Sequence, residues 1–180
     1  VGGRVLDLDG RPIAGALLDV WQAQTSGLYD SQDPNLHEMH VRGRFRSDQD
    51  GRYLVRTVRP VHYPIPSDGP VGAMLRATGR HPWRPAHIHF VVSAEGYEPV
   101  TTHIFDSADE YLESDAVFAV KGSLICDFAG HDTADGEARR LGIAVPYYTA
   151  DFDFRLQPAA KGGPDMLDAQ RRLAALGARG

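Results

Sequence analysis

The sequence predicts a mainly β domain, an antiparallel sandwich or barrel with short helices and a helical tail. Three observations carry this: short runs rich in β-branched and aromatic residues, turn-forming Gly, Pro and Asp clusters between them, and period-two alternation within the longer runs. The chain holds 19 glycines and 12 prolines in 180 residues, so turns are frequent. A chain of this length forms one buried core rather than two.

Arg4 to Leu8 and Ala16 to Ala23 read as strands around Asp9-Gly10-Arg11-Pro12, a turn with Asp-Gly chemistry. Phe45-Arg46-Ser47 and Arg52 to Val58 flank Asp48-Gln49-Asp50-Gly51, which reads as a second hairpin. Arg52 to Val58 alternates polar and apolar residues, as a half-buried strand does. Val71 to Ala77 reads as a short helix ended near Gly79. Further strands are expected at His87 to Ala94, Thr101 to Phe105, Ser123 to Phe128 and Tyr148 to Leu156. Residues 157–163 are a Pro/Ala/Gly linker, and Pro164 to Ala178 has helical spacing with proline at the first helical position. The expected division is therefore a domain over 1–156 and a linker with a C-terminal helix over 157–180. No internal repeat is present.

Composition excludes several classes. Asp and Glu number 24 against 19 Lys and Arg, a formal net charge of −5, with no dense basic patch. Such a chain has no electrostatic footprint for nucleic acid or an anionic membrane. No apolar run approaches a membrane span and no signal peptide is visible. The single cysteine, Cys126, excludes thiolate metal sites and disulfide frameworks, and fits a reducing cytoplasm. The chain starts at Val1 and leads directly into a strand, so the true N-terminus is expected upstream.

The chemistry concentrates around Arg84-Pro85-Ala86-His87-Ile88-His89-Phe90. On a strand, side chains two apart share a face, so His87 and His89 point one way while Ile88 and Phe90 point the other. Two imidazoles on one face can hold a metal, although a polar strand face is the plainer explanation of His-x-His alone. No His-Glu-x-x-His and no carboxylate cluster at ligand spacing is present, which leaves histidine, carboxylate and tyrosinate as candidate ligands. Tyr29 follows Trp21-Gln22-Ala23 and Gly27-Leu28, and Tyr63 lies in Val61-His62-Tyr63-Pro64-Ile65-Pro66, a segment that its prolines hold extended and in turns.

Taken in order, Trp-x-Ala…Gly-x-Tyr, then Tyr-x-x-Pro, then Arg-Pro-Ala-His-x-His resemble the intradiol ring-cleaving dioxygenases over about residues 4–156. The resemblance implies a β-sandwich core and one non-haem Fe(III) per chain, bound by Tyr29, Tyr63, His87 and His89. In it Tyr63 is the axial tyrosine that leaves when substrate binds, Tyr29 stays, His87 is axial and His89 equatorial. Hard anionic tyrosinates favour Fe(III) over Fe(II), and a free phenol with a pKa near ~10 ionises at neutral pH only beside a cation. A catechol-like diol chelates the metal, the displaced groups accept its protons, and dioxygen cleaves the ring between the two oxygenated carbons.

Within the family, Arg42-Gly43-Arg44-Phe45-Arg46, Tyr63 to Gly72, Gly79 to Phe90 and Thr101-Thr102-His103-Ile104-Phe105 resemble the hydroxyquinol 1,2-dioxygenases. Hydroxyquinol would give hydroxymuconate, equivalent to maleylacetate. Catechol-type relatives carry glutamine where His103 stands, and protocatechuate-type relatives lack an insertion like Val71 to His81. Catechol and chlorocatechol remain the alternative substrates. Arg84, three residues before His87, is the candidate to stabilise the anionic ring. Ile65, His103 and Val117 are candidates for the substrate pocket, with core packing or a strand edge as their plainer explanations. His37, His40, His62, His81 and His131 read as solvated loop residues, and Trp21 and Trp83 as packing. Hydroxyquinol- and catechol-type relatives carry a helical N-terminal region that forms a homodimer interface and contributes to the pocket. Nothing here corresponds to it, so either this chain lacks that region or the protein is a shorter variant. The opening Gly3 to Ala16 also resembles prealbumin-like binding modules, a non-enzymatic alternative that has no reason to keep two tyrosines and His-x-His in register.

Overall fold

In the run His87–Ser93 the side chains of Ile88, Phe90 and Val92 are fully buried, while His87, His89 and Val91 occupy the opposite face. That alternation organises the computed structural model, which describes residues 1–160. Its strands are β1 (Gly2–Asp7), β2 (Leu17–Trp21), β3 (Arg42–Arg46), β4 (Arg52–Leu54), β5 (Tyr63–Pro64), β6 (Trp83–Arg84), β7 (His87–Ser93), β8 (Val100–Asp106), β9 (Ile125–Cys126), β10 (Ala129–His131), β11 (Tyr147–Thr149) and β12 (Phe154–Leu156). Helix α1 spans Pro70–Ala77 and α2 spans Gly136–Arg140.

A five-stranded sheet in the order β3-β2-β7-β8-β9 packs against a three-stranded sheet in the order β12-β1-β4. Leu18, Val20, Ile88, Phe90, Val92 and Ile104 from the first meet Val5, Tyr53, Phe154 and Leu156 from the second. The Phe90 ring sits 4.9 Å from Phe154 and 6.3 Å from Tyr53, so one aromatic side chain bridges both sheets. This is the β-sandwich expected from the strand pattern. Most pairings are antiparallel, with β1–β12 and β8–β9 parallel.

Both expected hairpin turns form, but neither joins paired strands. The Asp7 carboxylate accepts the N–H groups of Asp9 and Arg11 at 2.9 and 2.8 Å, and the Asp48 carboxylate accepts those of Asp50 and Arg52 at 2.9 and 2.8 Å. These closed aspartate turns serve as corners: β1 pairs with β4 and β12, whereas β2 pairs with β3 and β7. Turn chemistry fixes where a chain reverses, and burial then chooses the partner. The expected strand Tyr148 to Leu156 is two strands, β11 and β12, and Ser123 to Phe128 supplies only the short β9. Strands β5, β6 and β10 and helix α2 carry no sequence periodicity long enough to announce them. The start of the expected linker is docked: Glu98 donates its N–H to the Gln157 carbonyl at 2.8 Å, and Ala159 to that of Gly96 at 2.9 Å. The expected helix at 164–178 lies outside the described residues.

Phe90→Ala should cost about 3–5 kcal/mol, because it removes the ring that fills the space between the sheets. Urea titration checks this, and a loss below ~1 kcal/mol would contradict Phe90 as the centre of the core.

Candidate metal centre

The polar face of the five-stranded sheet carries the site. Strand register places Arg42, Trp21, His89 and His103 in one row across β3, β2, β7 and β8. The guanidinium of Arg42 lies 5.0 Å from the Trp21 ring centre, and Trp21 stacks on His89 at 4.8 Å with planes 4° apart. His103 flanks the other side of His89, ring centres 4.4 Å apart. Phe105 is paired with His87 in the next row and is fully buried. Both histidines on β7 are thus held by their cross-strand neighbours.

The tyrosines arrive from outside the sheet. Tyr63 is on β5, directly opposite Arg84 on β6. Tyr29 precedes a one-turn 3-10 helix, Asp30–Gln32, and the Gln32 side chain accepts its N–H at 3.0 Å. Gly27 lets the two tyrosine-bearing segments meet. Its φ is +80°, and a Cβ there would lie 3.1 Å from the Tyr63 Cβ.

Four donor atoms converge. The hydroxyl oxygens of Tyr29 and Tyr63 are 2.7 Å apart, Tyr29 Oη is 2.9 Å from His89 Nε2, Tyr63 Oη is 3.2 Å from His87 Nε2, and the two Nε2 atoms are 3.2 Å apart. Ligand atoms ~2.0–2.2 Å from a shared first-row metal ion are separated by about 3 Å, so the cluster has the spacing of a coordination shell. Proton bookkeeping agrees. His87 donates Nδ1–H to the Pro85 carbonyl at 2.6 Å, which leaves a lone pair on Nε2 facing the cluster. His103 offers a further nitrogen, and the ligand atoms of His87, His89 and His103 all lie within 4.8 Å of one another.

Electrostatics point the same way. Burial, then Arg84 and His103, hold His87 down at about 3. Burial, then His87 and His103, hold His89 down at about 2. Burial also lowers His103, with Arg84 adding to it. Burial and the Tyr63 hydroxyl push Tyr29 well above the usual phenol range. These groups therefore present neutral imidazole rings and a protonated Tyr29 phenol by themselves, and a multivalent cation is what would ionise Tyr29.

Arg84 is buried, not a surface residue. Its Nε and Nη2 reach the two oxygens of Asp115 at 3.2 and 3.4 Å, and its Nη1 lies 3.1 Å from His87 Nε2. Asp115, itself buried, is a partner that sequence reading missed, since a lone aspartate thirty-one residues away gives no signal. Ile65 is half-buried two residues beyond Tyr63, where its N–H bonds the Pro82 carbonyl at 2.9 Å. Val117 is exposed and donates its N–H to Asp115 at 3.3 Å. Trp21 is more than packing, being the stacking partner of His89. Three histidines read as solvated loop residues have partners: His62 with Asp109 at 3.2 Å, His81 with Ser114 at 2.9 Å, and His131 with Thr149 at 2.8 Å. His37 and His40 are exposed as expected.

A β-sandwich here gathers two phenols, two imidazoles and a clamped guanidinium at one sheet face, a donor set suited to a metal ion. The family model described as "Dioxygenase" matches residues 1–158. The chain belongs to this family and, within it, to the intradiol ring-cleavage dioxygenases. It is 52% identical over 158 residues to hydroxyquinol 1,2-dioxygenase of Rhizobium sp. (strain MTP-10005), covering 87% of this chain and 53% of that protein. It is 51% identical over 158 residues to 6-chlorohydroxyquinol 1,2-dioxygenase of Cupriavidus pinatubonensis, covering 88% and 53%. The crystal structure of hydroxyquinol 1,2-dioxygenase from Pseudomonas putida DLL-E4 superposes with a TM-score of 0.82 at 50% identity, covering 88% of this chain and 55% of that one. The chain spans about half the length of these relatives. No helix among the described residues is long and apolar enough to cross a membrane.

Two outcomes test the site's construction. Gly27→Ala should push the tyrosine segments apart and weaken metal retention about tenfold while the core stays folded, read by metal content after dialysis against a chelator. Unchanged retention would contradict the close approach. The second concerns pH. An unfolded imidazole titrates near ~6.5, far above the folded values of His87 and His89, so below that pH the unfolded chain binds protons that the folded one refuses. Stability contributed by the neutral rings is held above about pH 6.5 and declines as pH falls. Thermal melts of the metal-free chain should drop from pH 7 to pH 4, with a shallower drop in His89→Gln. An equal slope in the variant would contradict it.

Proposed function

We propose that the chain holds one ferric ion on Tyr29, Tyr63, His87 and His89 and carries out intradiol cleavage of hydroxyquinol by dioxygen. The convergence of four donor atoms at 2.7–3.2 Å carries this reading. When bound, ferric ion supplies the Lewis acidity that ionises the phenols and draws electron density from a chelated diol.

The chain's own residues supply the rest. Tyr63 sits on a two-residue strand with its hydroxyl 2.7 Å from Tyr29 Oη and 3.2 Å from His87 Nε2; it would help to hold the ion, and its oxygen would serve as a base for a substrate proton. Tyr29 is held from its backbone by Gln32, which suits a ligand that stays. Arg84 places a fixed positive charge beside His87, where negative charge grows on the ring. Asp115 prevents the guanidinium from swinging away. His103, beside His89, offers a polar ring to the third hydroxyl that distinguishes hydroxyquinol from catechol. The relatives named above act on hydroxyquinol or its 6-chloro derivative, which supports the same substrate class. Were the full protein to carry the helical N-terminal region of hydroxyquinol- and catechol-type enzymes, that region would complete the pocket and a homodimer interface.

The test is the aerobic visible spectrum of the ferric-loaded protein before and after hydroxyquinol, then catechol. A tyrosinate-to-iron band, shifted by the diol and followed by faster consumption of hydroxyquinol, is the expected result. Tyr29→Phe should bleach that band and lower iron content. A colourless, inert protein after ferric loading, or unchanged colour in Tyr29→Phe, would overturn the proposal.

A further inference from the structure

We propose that Asp109 is a positioning residue that sets the orientation and donor strength of His87 through one peptide group. The proposal rests on the reading of His87 as a metal ligand. Asp109 lies in the loop after β8, its side chain only 6% exposed. Its Oδ2 accepts the Ala86 N–H at 3.1 Å. That N–H belongs to the Pro85–Ala86 peptide, whose carbonyl accepts His87 Nδ1–H at 2.6 Å. The two bonds are opposite ends of one planar, resonance-coupled dipole. A carboxylate on the N–H end draws electron density toward the oxygen, which makes that carbonyl a stronger acceptor for the imidazole proton.

The result is a carboxylate–peptide–histidine chain. Metal-bound histidines commonly give their outer N–H to a carboxylate or to a backbone carbonyl, and the partner fixes the tautomer and raises ligand basicity. Here the carbonyl makes the direct bond and the carboxylate stands behind it. Pro85, Ala86 and His87 are all buried, so water screens the effect weakly.

The same carboxylate has a second reach. Oδ2 also lies 3.2 Å from His62 Nδ1, and His62 immediately precedes Tyr63. Oδ1 accepts the Tyr111 N–H at 2.9 Å, which holds the carboxylate in its own loop. Asp109 therefore joins the segments that deliver His87 and Tyr63, from behind the site and without touching the four converging atoms.

The experiment compares Asp109→Asn and Asp109→Ala with Asp48→Asn in the full chain. Asparagine keeps the shape and one acceptor oxygen but removes the charge. Asp48 closes its own turn by the same kind of bonds, to Asp50 and Arg52, on the corner between β3 and β4, and so reports plain loss of a structural carboxylate. In the metal-free protein, Asp109→Ala should speed hydrogen exchange at the Ala86 amide by ~10-fold or more. It should also convert the His87 imidazole from a single Nδ1–H tautomer to a mixture in ¹⁵N spectra. Asp109→Asn should keep the tautomer largely intact and serves as the folded comparison if the alanine variant does not fold. With ferric ion bound, both variants should release it to a chelator about tenfold faster, and their absorption band should move to longer wavelength as His87 donates less.

An unchanged Ala86 exchange rate and His87 tautomer in Asp109→Ala would overturn the proposal. So would the same spectral changes in Asp48→Asn, which would mark a general loss of rigidity. A wild-type chain that never takes up ferric ion would instead overturn the metal-ligand reading and the donor-strength part with it. The amide and tautomer measurements would still decide the orientation part.

Discussion

The pleat of β7 is the constraint on which the rest of the molecule depends. Because successive side chains alternate, the residues that close the sandwich, Ile88, Phe90 and Val92, are interleaved with those that carry the site, His87 and His89. A one-residue shift of register would put both imidazoles in the hydrocarbon core and Phe90 in the site. The core therefore does more than stabilise the fold. It locks the rotation of β7 about its own axis, so that two imidazoles separated by a single residue present their Nε2 atoms 3.2 Å apart. Neighbouring strands finish the alignment, Trp21 by stacking on His89 and Phe105 by packing beside His87.

Tyr63 and Arg84 have only the two-stranded β5–β6 ladder, and aspartates add to its hold. Asp106 holds Arg59, with Oδ2 at 2.7 Å from its Nη2; Asp109 holds Ala86 and His62; Asp115 holds Arg84. Asp106 ends β8 and the other two lie in the loop that follows it, and each accepts an N–H two residues ahead of itself, from Ala108, Tyr111 and Val117. Each turn thereby fixes the direction of its own carboxylate before that carboxylate reaches across to another segment. A loop with almost no regular structure becomes rigid in this way. Long-range polar bonds of this kind are worth most where water is excluded, and the Asp106 and Asp115 side chains are nearly fully buried.

Much of this was legible in the sequence. The alternation in His87 to Ala94 gave both the strand and its two faces, and the ordered tyrosine and histidine motifs named residues that the fold brings within hydrogen-bond distance of one another. Three things were hidden. Strand partners were misread at both Asp-Gly corners, since a turn reports a reversal of direction and not which sheet receives the next strand. Strands of two or three residues such as β5 and β6 are too short to show periodicity, although their pairing sets Tyr63 opposite Arg84. The partnerships of Asp109 and Asp115 were hidden because an aspartate in a turn has the same local signature whether its second oxygen faces water or a buried guanidinium. The Arg42–Trp21–His89–His103 row was hidden for a related reason. It exists only once four separate strands are in register.

The buried ion pair also settles an electrostatic difficulty that the proposed function creates. A guanidinium 3.1 Å from His87 Nε2 would repel a cation bound by that nitrogen. Asp115 reaches the opposite edge of the same guanidinium with both of its oxygens, and its own remaining bonds go to the N–H groups of Val117 and Ala119. Its negative charge offsets the positive charge of Arg84, so the net field at the centre is that of a dipole whose positive end faces inward. A dipole field falls off faster than that of a free charge. It costs a bound cation less than a free charge would, and still favours an oxygen that comes within hydrogen-bond reach of Nη1. The pair can thus coexist with a cation at rest and still favour negative charge on a bound ring, which an unpaired arginine in the same place could not do without weakening the cation's hold.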